Sequence, residues 1–91
     1  MKIERRLFIH EKSHWSYVCV LAERFEMKGW KVFFRPELNA IDILKYSYDG
    51  YDAVDDMEQI IEAVGLHTMA GTVRSIYDLN DPERQVRYNG W

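Results

Sequence analysis

The spacing of apolar and polar positions changes period several times along the chain. In K-I-E-R-R-L-F-I, residues 2–9, Ile3, Leu7 and Ile9 share one side at period two, with Arg5 the exception. Such alternation marks a half-buried strand. From residue 14 the spacing becomes helical, with Trp15, Val18, Cys19, Ala22 and Phe25 on one stripe. A helix from His14 to Lys28 is expected, capped by Ser13 and stopped by Gly29. W-K-V-F-F-R, 30–35, is β-branched and aromatic, places Trp30, Val32 and Phe34 on one face, and ends at Pro36. I-D-I-L-K-Y-S-Y, 41–48, sets Ile41, Ile43 and Lys45 against Asp42, Leu44 and Tyr46, which reads as a third strand.

Asp49-Gly50 is a turn signal. A second helix follows, with Asp52 as cap, Asp55 and Asp56 in its first turn, and Gly65 after its end. Its buried stripe is Val54, Met57, Ile61 and Val64, and Asp55, Glu58 and Glu62 lie on the wet side. Residues 66–79 fit two readings. As a strand, T-V-R-S-I-Y-D-L puts Val73 and Tyr77 on one face; Met69, Val73 and Ile76 also fit a helix. Gly71 weighs against the helix by about 1 kcal/mol relative to Ala. Asn80-Asp81-Pro82 is a turn or a helix start, and residues 85–91 read as a frayed tail. The order β-α-β-β-α-β predicts a single α+β domain over residues 1–91, a two-layer sandwich of ferredoxin-like type. That architecture hosts many unrelated functions.

Composition narrows the class. Of 91 residues, 47% are apolar and 14% aromatic, too rich for a disordered chain. Cys19 is the one cysteine, so no internal disulfide exists and a reducing, cytoplasmic setting is expected. Within Y-V-C-V-L it reads as a small buried hydrophobe. The start M-K-I-E-R-R-L-F-I has no signal-peptide pattern, and no stretch approaches the ~20 apolar residues of a membrane span.

Net charge is −3, unevenly placed. Residues 36–72 hold eight acids against Lys45, a net of −7, and the rest of the chain carries +4. Such asymmetry speaks to partners and steering.

The most suggestive motif is His10-Glu11-Lys12-Ser13-His14, which fits H-E-x-x-H. In zinc peptidases this spacing sets two histidines one helical turn apart with a general-base Glu between them. Here a strand end at His10 and a helix start at His14 would break that face. A third ligand is unmarked: the longer pattern needs Gly at 17 and His at 20, where this chain has Tyr17 and Val20. Glu58, Glu62 and His67 are the remaining donors. A minimal zinc hydrolase using His10 and His14 is therefore the alternative reading, and no cofactor is expected. No Gly-rich phosphate loop, C-x-x-C or G-x-S-x-G is present, and Asp42 and Lys45 lack the E-x-K strand of a nuclease core. F-I-H-E-K-S-H-W with A-E-R-F-E-M-K-G-W-K-V-F-F resembles the opening β-α-β of a TIR-type domain, a likeness confined to residues 8–15 and 22–34. The chain is too short for that whole domain.

Y-S-Y-D-G-Y-D-A-V-D-D-M-E interleaves tyrosines with carboxylates. Tyrosine is enriched at binding hot spots, and clustered carboxylates raise the on-rate of a basic partner. Tyr48, Asp49, Tyr51, Asp52, Asp55, Asp56 and Glu58 are the candidate contact residues. The expectation is a non-enzymatic protein that binds and regulates or inhibits a larger, basic, nucleic-acid-handling protein. Carboxylates would occupy a groove that normally holds phosphate, as a phage or mobile-element inhibitor of the anti-CRISPR or anti-restriction kind would do. A third reading is single-stranded nucleic-acid binding through the sheet, with Phe33, Tyr46 and Tyr48 stacking bases and Lys31, Arg35, Arg74 and Arg87 meeting phosphates. Aromatics such as Trp91 are compatible with a homodimer.

Overall fold

The alternation of residues 2–9 is realised as β1 (Lys2–Ile9), with Ile3, Leu7 and Ile9 buried. The computed structural model describes residues 1–11, 13–65, 72–80 and 85–86, the last pair by backbone alone. After β1 come α1 (Trp15–Met27), β2 (Lys31–Arg35), a 3-10 turn (Pro36–Leu38), β3 (Ala40–Tyr46), α2 (Gly50–Gly65), β4 (Val73–Asp78) and β5 (Gln85–Val86). The strands form one antiparallel sheet in the order β2-β3-β1-β4-β5. The protein is a small α+β domain. No helix among the described residues is long and apolar enough to cross a membrane.

β1 and β2 are separated by β3, which runs antiparallel to both. The likeness of residues 8–34 to a TIR-type opening therefore reflects a shared amphipathic rhythm and not adjacent parallel strands. One sheet face packs against the helices. Ile3, Leu7, Ile9, Ile41, Ile43, Val73 and Ile76 meet Val18, Leu21 and Phe25 of α1 and Ala53, Met57, Ile60, Ile61 and Val64 of α2 in a single core.

Several local expectations are corrected. The cap of α1 is His14, whose Nδ1 accepts from the Ser16 N–H at 3.3 Å, and not Ser13. The buried stripe of α1 is Val18, Leu21, Ala22 and Phe25; Cys19 and Trp15 are exposed. Cys19 is one position off the stripe, so its apolar neighbours in sequence are not its neighbours in space. On α2, Ala53 and Ile60 enter the core and Val54 only borders it.

Residues 73–78, ambiguous by pattern, form a strand. A register shift between Phe8 and Ile9 pairs Phe8 with Ser75 and Ile9 with Val73. The extra residue, Arg74, bulges, so Val73 and Ile76 both face the core although they are three apart. The bulge imitates helical spacing. Arg5, the exception on the inner face of β1, lies opposite Asp78 and bonds its carboxylate at 2.9 Å. Gln85–Val86, expected in a frayed tail, pair with β4. Lys12, His67, Met69, Gly71, Arg87 and Trp91 lie outside the described residues.

The end of α1 is a Schellman turn. Gly29 N–H bonds Glu26 O and Trp30 N–H bonds Phe25 O, each at 3.0 Å. Gly29 has φ +88°, a left-handed conformation that costs L side chains roughly 1–2 kcal/mol. The accompanying apolar contact is the edge-to-face packing of Phe25 and Trp30, centroids 5.7 Å apart. Gly29→Ala is expected to lower unfolding free energy by about 1–2 kcal/mol. Urea denaturation followed by Trp fluorescence checks this; an unchanged midpoint would contradict the role given to this turn.

Candidate functional site

The H-E-x-x-H segment is not helical. His10 follows the last residue of β1 and its N–H bonds Thr72 O, Ser13 N–H bonds back to His10 O, and α1 begins only after His14. The chain turns between the two histidines, so they do not share a helix face. His14 Nδ1 is also occupied by its cap, 2.9 Å from Ser16 Oγ. Among the described residues, no three His, Cys, Asp or Glu side chains are grouped to hold a metal ion. Asp42 and Lys45, three apart on β3, have opposite orientations: Asp42 sits in register with Arg6, and Lys45 with Ile3.

The tyrosine-carboxylate segment joins β3 to α2. Ser47 Oγ donates to Asp49 O and accepts from Asp49 N–H, making a tight turn. Asp49 Oδ1 then accepts from Tyr51 N–H at 2.9 Å and Asp52 N–H at 3.4 Å. Asp49, and not Asp52, is therefore the cap of α2. The tyrosine side chains on either side project into solvent. Tyr48 is fully exposed and Tyr51 is 90% exposed.

The seven candidate contact residues divide into three sets. Tyr48, Asp49 and Tyr51 line one pocket of about 520 Å³, together with Met1, Val54 and the Arg5–Asp78 ion pair. Asp52, Asp55 and Asp56 line a second cleft of about 260 Å³, facing Lys45 and Ser47. Glu58 lines neither. Among the described residues no ion pair involves Asp52, Asp55, Asp56, Glu58 or Glu62. Asp52, Asp55 and Glu62 are exposed, Asp56 and Glu58 are half-buried, and Asp55 accepts from Gln59 Nε2 at 3.0 Å.

The sheet face away from the helices carries a second constellation. Its central cross-strand row is Phe33, Asp42, Arg6 and Tyr77. Asp42 accepts two hydrogen bonds from Arg6, at 2.7 and 2.9 Å, and one from Arg35 at 3.1 Å. The carboxylate is the most buried of the three groups, and the guanidiniums lie over it. Arg35 rests against the Phe33 ring and Arg74 against Phe8, at 6.0 and 5.8 Å. Phe33 and Tyr46, with Lys31, Arg35 and Arg74, thus share this face, whereas Tyr48 belongs to the α2 pocket. Arg6 and Phe8 were missed by sequence reasoning, Asp42 was weighed only for a nuclease core, and Tyr77, expected on the face of Val73, lies on the opposite one because of the bulge at Arg74. Alternation within β1 and β3 put the first three on one side, but only the register shows that they meet.

No protein-family model, curated protein or solved structure matches the chain.

Burial pushes the Asp42 carboxyl up, and the hydrogen bonds and charges of Arg6 and Arg35 outweigh it, so its pKa lies below the usual carboxylate value. Arg6 is raised in turn, chiefly by its hydrogen bond to Asp42. Asp42→Ala is expected to cost about 2–4 kcal/mol at pH 7, since both guanidiniums lose their partner. A depressed folded-state pKa stabilises the fold above the unfolded value, near 3.9, and that contribution is lost as pH falls through the folded value. Urea titrations from pH 7 downward should show the gap between wild type and Asp42→Ala narrowing on acidification. A gap that stays constant would refute the ionic account.

Proposed function

We propose that this chain is a non-enzymatic interaction domain on a ferredoxin-like scaffold. Its start-of-α2 face binds a basic surface of a larger, nucleic-acid-handling protein and regulates or inhibits it. The scaffold assignment is supported by two β-α-β passages that share one antiparallel sheet with β1 and β3 at its centre.

The observation that carries the binding role is the convergence of Tyr48, Asp49 and Tyr51 on one pocket of about 520 Å³. That volume lies within the range that encloses a large side chain or small ligand, about 300–1,000 Å³. Its chemistry suits a Lys or Arg from a partner. The aliphatic stem packs on Met1, Val54 and the tyrosine rings, and the charged head meets a ring face or the Asp49 carboxylate. Arg5 does not repel such a guest, because Asp78 neutralises it at 2.9 Å. The carboxylates of Asp52, Asp55 and Asp56, which form no ion pair among the described residues, follow this anchor on α2 and add steering at a distance. Partners whose grooves hold phosphate present the complementary arrangement of Arg and Lys. An inhibitor of anti-restriction or anti-CRISPR kind is one role that such mimicry supports.

Two variants separate anchor from steering. Tyr48→Ala with Tyr51→Ala removes the two exposed rings at the pocket rim, and Asp52→Lys, Asp55→Lys and Asp56→Lys together reverse the field. Asp49 is left intact because it caps the helix. With immobilised protein and extract from its own source, the double variant should weaken capture of the partner by at least about 2 kcal/mol. The triple variant should slow association and remove its salt dependence. Circular dichroism confirms that both are folded. Undiminished capture of the same partner by both folded variants would eliminate this function.

A further inference from the structure

The open sheet face is chemically unlike the acidic helix face. Among the described residues its strands carry Lys2, Lys31, Arg6, Arg35 and Arg74 against Glu4, which pairs with Lys2, and Asp42, and Glu37, just past β2, acts on Arg6 as a third carboxylate. Phe33 is 45% exposed and Tyr46 67% exposed, and Phe8 and Tyr77 are partly exposed on the neighbouring strands β1 and β4. Among the described residues, both helices pack on the other side.

We propose that this face binds single-stranded nucleic acid, with bases stacked on Phe33 and Tyr46 and phosphates met by Lys31, Arg35 and Arg74. Three observations support it. The first is charge complementarity: among the described residues five cations face three carboxylates, Glu37 included, and Asp42 lies beneath the guanidiniums it holds. The second is the spacing of the platforms. Phe33 is in register with Asp42, and Tyr46 lies four residues further along β3. At about 3.4 Å per residue the two rings stand roughly 14 Å apart, too far for one base and suitable for separate bases of one strand. The third is shape. The two depressions on this face measure about 230 and 220 Å³; the larger is bordered by Phe33 and Arg35 with Glu4 and Asp42, the smaller by Arg6, Phe8 and Tyr77. They are smaller than small-molecule pockets, which run from about 300 Å³, and suit an extended polymer lying across the sheet.

The net charge of −3 does not oppose this. The molecule measures 34 × 27 × 22 Å, and the Debye length at physiological salt is about 8 Å. Charges on opposite faces are largely screened from one another. A duplex fits poorly, because its bases are stacked on each other and their faces cannot reach the rings.

Fluorescence anisotropy with the full chain tests this, using fluorescein-labelled oligo(dT) and oligo(U) at low and near-physiological salt. Binding is expected at low salt and should weaken as salt rises. Phe33→Ala and Tyr46→Ala should each weaken it by roughly 5- to 100-fold, the range for loss of one stacked base. Lys31→Ala and Arg74→Ala should each flatten the log–log salt slope by about 0.7. Tyr48→Ala, on the α2 pocket, should leave the affinity unchanged, which keeps this proposal separate from the preceding one. Tighter binding of oligo(U) assigns RNA, tighter binding of oligo(dT) assigns DNA, and equal binding assigns a strand read without its sugar; each supports the proposal. Three results overturn it: no low-salt binding of either oligonucleotide, unchanged affinity in folded Phe33→Ala and Tyr46→Ala, or displacement by poly-glutamate as effective as by unlabelled oligonucleotide. The last would mark an acidic polypeptide surface instead.

Discussion

β1 is hydrogen-bonded on both edges, to β3 and to β4, and the remaining elements are positioned from it. Its inward residues Ile3, Leu7 and Ile9 fix which sheet face is apolar, and both helices must cover that face. A one-residue slip of β1 would exchange its two faces and expose the core. The alternation also determines what lies outside. Lys2, Glu4, Arg6 and Phe8 go to the face that two helices cannot cover. A sheet with one solvated side is ordinary for antiparallel strands, which need no crossover helices on both faces. Here that side has to tolerate water and also remain ordered. The Arg6–Asp42–Arg35 cluster serves both ends, since it crosses three strands with three charge-assisted hydrogen bonds.

Much of this scaffold was legible in the sequence, and the misses have local causes. The strand at residues 2–9, the end of β2 before Pro36 and the helix end at Gly29 follow from period and from stop residues that act within a few positions. The caps were misplaced by one residue on α1 and by three on α2. In both cases a second capping-competent side chain stood nearby, His14 beside Ser13 and Asp49 before Asp52, and the neighbouring turn decided between them. Residues 73–78 defeated pattern reading because a bulge breaks period two, and a bulge depends on the partner strand. Cys19 went wrong for the opposite reason. Its flanking residues are apolar, but helical geometry, not sequence adjacency, decides what is buried.

The candidate sites were legible unevenly for the same physical reason. Tyr48, Asp49 and Tyr51 are neighbours in sequence, so their convergence needs only a turn. The open-face cluster unites residues 6, 33, 42 and 77, and nothing in the chain order announces that Asp42 will sit between two arginines. Conversely, H-E-x-x-H was conspicuous as a string and lost its geometry when the chain turned before α1. A motif is informative only in the local structure that gives it meaning.

The placement of Tyr48 and Tyr51 bears on how strongly such a surface can bind. Exposed aromatic side chains on a loose loop would have to be ordered on contact, at a cost of about 0.5–1.5 kcal/mol for each immobilised side chain plus that of the backbone. Here the backbone between them is already held. Ser47 N–H bonds Met1 O at 2.8 Å, the Ser47 hydroxyl and the Asp49 backbone bond each other reciprocally, and the Asp49 carboxylate accepts from the first turn of α2. The turn is thereby tied to the start of β1 and to the helix at once. Only the tyrosine rotamers remain to be fixed, and tyrosine has few of them to lose. The same short segment therefore ends the third strand, starts the second helix and presents two rings on an ordered backbone, so the helix cap and the candidate contact surface cannot be varied independently.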